Sequence, residues 1–551
     1  MQRVRFWCGA VGMAAILCAA AAAQSQSQAP PSPTTTLQVT SKLVFLDVTV
    51  LDKKGHPVVS GLAKDDFTIT EGKMPQRIFS FEAPGVHSTS AGASADNPDG
   101  NAPHTILVLD QLNSSFQDFA YIRWEVQRYL EFQPKELQSP TELMLAGNNS
   151  LELVQSYTRN REELLSALKH IPAAIPYKMS GSFWAERLAQ SFDALNQIAL
   201  ENGGFPGRKN IIWVGHGSPG INTVFLDSRT AGDLQQYAHM ITNLLVDARI
   251  SLFVIYPGLP AASRRSPMGS EMDAELNVGD DGPFATTGDI NFGVFVDETG
   301  GKLFYNRNDL DQEMRDSEQI GSEYYTLTYQ PHGGDDNGRF RRIRVTMRDP
   351  NLRAVTKLGY YAPDKNAPLD PRMHLMQTVV EAARSTIPFD ALHIAIGNLV
   401  RHPDTETVQL TGNLRAQDLN WLPSENGMSR VDLIIAAASL NDYRNILTSR
   451  LQGMEVTAST DKLAHLGPGD TVAVTFTLRI PKKAKSVRVV METENGGRIG
   501  TAEVGRKAID AAPAEPTPQP QLAPPRNFAP NSAPIPAPNS APNSAPSQPQ
   551  P

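Results

Sequence analysis

The run "ILVLDQLNSSF" (residues 106–116) places an acid, Asp110, at the end of an apolar stretch and follows it with Asn113 and Ser114. In an open α/β fold such a strand presents its terminal carboxylate at the carboxyl edge of the sheet, where ligands bind. Asp, Asn and Ser all offer oxygen donors, the set that Mg²⁺ and other hard divalent cations take. The same residues also have a use without an ion, in which Asp110 caps the following helix and Leu112 packs beneath it. A second group, "HGSPG" around Ser218, invites comparison with the G-x-S-x-G turn of serine hydrolases. His216 stands at its first glycine position, so that pattern fails. "GDDGPF" (279–284) and "HGGDDNG" (332–338) gather carboxylates with glycine but lack EF-hand spacing, and they read as solvated turns. Tyr324, Tyr325, Tyr329, Tyr360 and Tyr361 fall on predicted strands and read as core or interface aromatics.

Strands and helices must alternate to hold Asp110 at such an edge, and residues 104–320 do so. "HTILVLD", "TELMLAG", "SLELVQSYT", "KNIIWVG", "SLFVIYP" and "KLFYN" read as strands. The second and third of these are joined by the short turn "NNS", which makes them the antiparallel exception in a mostly parallel sheet covered by helices on both faces. In the first helix Phe119, Ile122, Val126, Tyr129 and Leu130 share a face, and Ser115 with Asp118 resembles a capping box. In a later one Trp184, Leu188, Phe192, Leu195 and Ala199 recur at helical spacing.

The flanks are β in character. Residues 37–83 alternate, with Val44, Leu46, Val48 and Val50 on one face. Residues 322–363 carry "EYYTLTYQP", "FRRIRVTMRD" and "RAVTKLGYYA", read as three strands. Each flank alone has about three strands, which is marginal for independent stability, so the two are expected to pair into one module around the α/β domain. Residues 84–103 read as a linker. Residues 370–505 read as a last, β-sandwich-like domain that opens with one helix, "MQTVVEAARS". Residues 506–551 are Pro, Ala, Gln, Asn and Ser with "APNSAP" repeated, a composition that predicts a disordered polyproline spacer.

The 551-residue chain predicts roughly three or four units. A net charge of −8 speaks against a binder that works by neutralising nucleic-acid phosphates. Arg3 and Arg5, the apolar stretch after them and Ala21-Ala22-Ala23 before Gln24 predict a signal peptide over 1–23, followed by a flexible lead-in over 24–36. Leu17 before Cys18 disfavours lipidation. Export to the periplasm, the outer surface or the medium follows, with no membrane span after cleavage. Both cysteines, Cys8 and Cys18, lie in the signal, so thiol catalysis and cysteine–zinc sites are excluded.

"ILVLDQLNSSFQDFAYIR", "FGVFVDETGGKLFYN", "YYTLTYQP" and "KLGYYAP", in that order, resemble the secreted bacterial proteins with a von Willebrand factor A (VWFA)-related domain described chiefly from Acidobacteria. The likeness covers roughly residues 37–363 and extends to "ENGGRIGTAEV". It implies a Rossmann-like A-domain flanked by β modules, with no catalytic activity. Ordinary A-domains carry a metal-ion-dependent adhesion site whose first loop reads Asp-x-Ser-x-Ser and whose other loops add a Thr and an Asp. On that pattern Asp110 matches the first position, Leu112 replaces the first Ser, Ser114 keeps the second and Asn113 adds an amide oxygen. Ser180 and Ser182 stand in the second loop, and His216 stands where the third loop has Asp. The set Asp110, Asn113, Ser114, Ser180, Ser182 and His216 is thus a degenerate site. No bound cofactor is expected, and Mg²⁺ or another divalent cation is the only candidate. The sequence therefore predicts an exported, non-enzymatic binding or adhesion protein with a protein partner on the envelope or matrix. A metal-dependent adhesin with an altered site and a hydrolase using His216 and Ser218 are the alternatives.

Overall fold

The structure, a computed structural model, describes residues 43–87, 101–172, 183–222, 226–257, 289–304, 309–332, 337–364, 371–424, 427–467, 469–493 and 497–515. The expected signal, lead-in, "GDDGPF" loop and the tail from 516 lie outside the described residues, as does most of "HGGDDNG".

The chain begins with β1 (Val44–Leu51), β2 (Phe67–Glu71), β3 (Met74–Gln76) and β4 (Ile78–Glu82). Strand β5 (His104–Asp110) leads into α1 (Phe116–Phe132), β6 (Glu136–Ala146), β7 (Leu151–Asn160), α2 (Arg161–His170) and α3 (Trp184–Glu201). Next come β8 (Lys209–Val214), the short β9 (Ile221–Asn222), α4 (Ser228–Asp247) and β10 (Ile250–Ile255). The two-residue β11 (Asp289–Ile290) pairs with β9 and precedes α5 (Phe292–Thr299), β12 (Lys302–Phe304) and α6 (Leu310–Ser322).

These elements build a six-stranded sheet of order β12-β10-β8-β5-β6-β7, parallel except for β6–β7. Alternate residues of its strands feed two cores. Ile106, Val108, Ile211, Trp213, Leu252 and Val254 pack with α3, α4 and α5. Leu107, Leu109, Leu143, Ile212 and Phe253 pack with α1, α2 and α6. Two-sided burial explains why the strands are continuous apolar runs. Ser115 caps α1 as the sequence suggests, its Oγ accepting from the Asp118 amide.

The flanking segments interleave. Strands β13 (Tyr325–Tyr329), β14 (Phe340–Met347), β15 (Arg353–Val355) and β16 (Gly359–Tyr361) complete two four-stranded sheets, β15-β1-β13-β4 and β16-β14-β2-β3. Val44, Leu46, Val48 and Val50 face Phe67, Ile69, Leu327 and Val345 in their shared core. The α/β domain is thus an insertion between β4 and β13. "RAVTKLGYYA", read as one strand, is two: β15 pairs with β1, and β16 with β14. The chain crosses between the sheets at Thr356–Leu358, pressed against Gly300. That glycine closes α5 at φ 73°, and a Cβ there would lie 2.4 Å from the Thr356 backbone. The expected linker from 84 also starts late. A turn over Pro84–His87 stacks His87 on Tyr324 at 4.3 Å, and only then does the chain leave the module.

The outer face of β1 meets the amino ends of the parallel strands in a buried polar seam. Arg249, left-handed at φ 56°, donates through Nε to Asp47 at 2.9 Å, and Thr326 Oγ1 donates to the same carboxylate at 2.9 Å. Arg208 donates to Thr49 at 3.1 Å and through Nη2 to Ser251 at 2.9 Å, and lies over the Tyr324 ring. Burial alone would raise the Asp47 pKa. The charges of Arg249 and Arg208 and the hydrogen bonds from Arg249 and Thr326 reverse this and hold it at about 2.

Beyond α7 (Pro371–Arg384) come β17 (Ile394–His402), β18 (Thr407–Arg415), β19 (Leu422–Pro423), β20 (Met428–Leu440) and β21 (Ile446–Ser459). The short α8 (Thr460–Leu463), β22 (Thr471–Arg479), β23 (Ser486–Thr493), β24 (Ile499–Gly505) and α9 (Arg506–Ala511) finish the described chain. One sheet is β17-β18-β22. The other is β19-β20-β23-β24, with β21 also on β20. Leu410, Phe476, Leu433 and Val489 lie between them. Helix α7 covers the outer face of β20 and β23 and merges with the α3 side of the α/β core. The tail therefore does not begin at 506. Ile509 anchors α9 in the sandwich, and Arg401 and Glu515 pair through backbone, because this stretch still carries apolar anchors before proline takes over.

Candidate functional site: the crest around Asp110

In chain order the sheet runs from β5 outward to β6 and β7 on one side and to β8, β10 and β12 on the other. The reversal lies between β5 and β8, where crevices form in open α/β sheets. Asp110 ends β5 there, and Gly215-His216-Gly217-Ser218 follows β8.

The Asp110 side chain is fully buried and both of its oxygens are occupied. Oδ1 accepts from the Asn113 backbone at 2.9 Å and from its Nδ2 at 3.3 Å. Oδ2 accepts from Trp213 Nε1 at 3.1 Å and from the Gly217 amide at 2.8 Å. Burial pushes its pKa up to about 6, against the pull of these hydrogen bonds. Asp110 therefore pins two loops and does not cap α1, whose cap is Ser115. Leu112 is buried below. Gly215 makes the close approach possible: at φ 150°, a Cβ on it would lie 2.2 Å from the Asp110 Cβ.

The remaining candidates fall on the same rim. Asn113 Nδ2 also reaches Ser191 Oγ on α3 at 3.0 Å, and Arg187, one turn earlier, approaches Asn113 Oδ1 with Nη1 at 3.5 Å. Ser114 is buried, and among the described residues its hydroxyl has no hydrogen-bond partner. His216 Nε2 lies 3.4 Å from Asp118 Oδ2. Ser218 Oγ is likewise unpartnered, so it makes no nucleophile–base hydrogen bond to His216, as a hydrolase would need. Ser180 and Ser182 lie outside the described residues. The chain before them reaches the rim at Pro172, whose carbonyl accepts from Gln111 Nε2 at 3.1 Å.

This donor set does not fit a hard divalent cation. The only carboxylate of the candidate set already takes four donors and is held toward its neutral form, whereas Mg²⁺ needs an open octahedral shell of oxygens. Among the described residues no three of His, Cys, Asp and Glu group as metal ligands.

Sequence reasoning missed Arg187, Ser191 and Trp213. The first two are i, i+4 on α3, a spacing that gives no signal until the partner strand is known. Trp213 did leave one: an indole N–H in a fully buried strand needs an acceptor, and Asp110 is the acid at the end of the neighbouring strand. Trp184 departs from its expected place on the buried face and, as the first residue of α3, is 39% exposed. Phe116, at the start of α1, is 50% exposed at the same end.

Comparison with known proteins returned no matching family model and no matching curated protein. Among solved structures, the SpRpn10 VWA domain is similar at 18% identity over 29% of this chain and 77% of that one, with a TM-score of 0.17. The human COPII-coat protein Sec24c is similar at 10% identity over 53% of this chain and 49% of that one, with a TM-score of 0.23. The strand order and the two helical layers, rather than either superposition, define the domain.

Proposed function

We infer that the protein is an exported, non-enzymatic binding protein of the VWFA-related secreted type. Its α/β domain recognises a protein partner through the crest around Asp110. The observation that carries this reading is convergence: residues 110–114, 187–191 and 215–218 meet at the switch point of the sheet, with exposed Phe116 and Trp184 beside them. Exposed aromatics next to a pinned rim are what interface hot spots are made of. The β modules act as a rigid mount and the Pro-rich tail as a spacer. The partner belongs to the envelope or matrix, and the acidic net charge disfavours nucleic acid. Among the described residues no helix is long and apolar enough to cross a membrane.

Retention of envelope proteins by the purified chain, compared with a Phe116→Ser/Trp184→Ser variant of unchanged folding, tests the reading. Equal retention by both would sink it. A metal-dependent adhesin with an altered site is favoured by one observation, the unpartnered Ser114 hydroxyl. Calorimetry with Mg²⁺, Mn²⁺, Ca²⁺ and Zn²⁺ decides that reading.

A further inference from the structure

The α/β domain and the C-terminal domain set acids against acids where they meet. Glu142 on β6 and Asp193 and Glu201 on α3 come from one side; Glu381 on α7 and Asp390 just beyond it come from the other. Gln197, one turn before Glu201, ties the two sides together. Its Oε1 accepts from Ser385 Oγ at 2.8 Å and from the Thr386 amide at 2.9 Å. The turn after Glu201 meets the turn between β23 and β24, where Arg498 Nε donates to the Gly204 carbonyl at 3.2 Å. Within the joint Tyr157 on β7 donates to Asn202 Oδ1 at 2.8 Å, Asn202 Nδ2 donates to Glu201, and both side chains hydrogen-bond Glu142. Glu142 is 2% exposed, and among the described residues its Oε1 has no partner.

The cations nearby do not neutralise this set. Lys209 lies near Glu201 but spends its amine on the carbonyls of Phe205 at 2.6 Å and Ala248 at 2.9 Å. Arg384 faces both Asp193 and Glu381, beside Tyr237. His393 and Arg488 face Asp390, and Arg488 is paired with Glu503 at 3.0 Å. Arg498 also donates to the Asp418 carbonyl at 3.0 Å, and the His104 ring meets the Tyr157 ring edge-on at 4.9 Å. Glu494, in the β23–β24 turn, lies outside the described residues. Burial raises all five carboxyls above their ordinary range, and the facing acids add to it: Asp390 on Glu142, Glu142 and Asp390 on Glu201, Asp193 on Glu381. Glu142 reaches about 8. Buried carboxyls that face one another hold protons because they cannot all ionise in place.

We propose that the joint between the α/β domain and the C-terminal domain is a pH-operated clasp, closed while its facing carboxyls keep their protons and opened when they ionise. Opening gives each carboxyl back its water. The closed form therefore keeps its full advantage below the ordinary glutamate value of 4.5 and loses it as pH climbs toward about 8. The clasp is remote from the crest and independent of the recognition reading.

The test measures opening of the full chain by the labelling rate of a buried thiol. Cys8→Ser and Cys18→Ser remove the native thiols, and Ala383→Cys places one on α7 at the joint, where Ala383 is buried against the α/β core. The exposed Lys462→Cys in the same background corrects for thiol ionisation, and Ala437→Cys, in the sandwich core, reports global unfolding. Corrected labelling at residue 383 should rise about a hundredfold or more between about pH 5 and pH 8, since each pH unit over which a carboxyl is kept from ionising is worth about tenfold. Labelling at residue 437 should not follow. Glu142→Gln with Glu201→Gln should hold labelling at residue 383 near its low-pH rate throughout, and Asp390→Asn, an exposed change that cannot disturb folding through a core, should lower the rate at about pH 8. A corrected rate that ignores pH overturns the proposal. So does an equal rise at residue 437, or a rise left intact by both the glutamine pair and Asp390→Asn.

Discussion

Two buried aspartates stand at opposite ends of the same parallel sheet, and their surroundings could hardly differ more. Asp47, at the amino ends, faces two arginines and titrates at about 2. Asp110, at the carboxyl ends, faces amides and an indole and titrates at about 6. Burial raises both; only at Asp47 do cations reverse the effect. The amino end is thus locked by complementary charge, which suits a mount. The carboxyl end is held by neutral donors around an acid whose pKa burial raises to about 6.

Removing each acid should separate the two roles. Asp47→Ala strands Arg249 and Arg208 in the seam, and urea unfolding should show a loss of about 3–5 kcal/mol, the usual cost of breaking a buried pair. Gly215→Ala should cost less, about 2 kcal/mol from backbone strain and overpacking, while abolishing partner binding through displacement of Asp110. Asp110→Asn should cost about 1–2 kcal/mol, since one oxygen still accepts and the amide meets donors. The pH dependence carries opposite signs. The folded pKa of Asp47 lies below its model value of 3.8, so its stabilisation is full above that value and fades as pH falls toward about 2. The folded pKa of Asp110 lies above 3.8, so stability falls as pH climbs from there to about 6. Stability–pH curves of the two variants should each lose one of these slopes, and a shared slope would dissolve the contrast. The smallest expected effect is that of metal: millimolar Mg²⁺ should leave the melting temperature unmoved, whereas a bound ion would raise it by linkage.

Much of the α/β domain was legible because its signals are local. The runs at β5, β8 and β10 are apolar on both faces, and Ser115 with Asp118 announces the start of α1. Strand β21 carries no clear alternation to read, because it lies at a sheet edge, half-buried, with polar residues on both faces. The break in "RAVTKLGYYA" depends on a distant glycine, which no local pattern reveals. At the site, Asp110 and its neighbours could be read directly, since an acid ending an apolar strand is conspicuous. Arg187 could not, because its meaning comes from Asn113, 74 residues away. The seam is a harder case: Asp47, Arg208, Arg249 and Thr326 lie far apart in sequence and look like surface residues.

The inserted topology also constrains how the protein is made. Asp47 and Thr326, bonded across β1 and β13, are 279 residues apart. During synthesis the amino-terminal strands emerge first, and the α/β domain can close before their partners arrive. Until then β1 to β4 expose unpaired edges, the condition under which nascent chains aggregate. Among the described residues strand β1 pairs only with β13 and β15, so the order in which the chain is made, and not the crest, sets when its sheet can be completed.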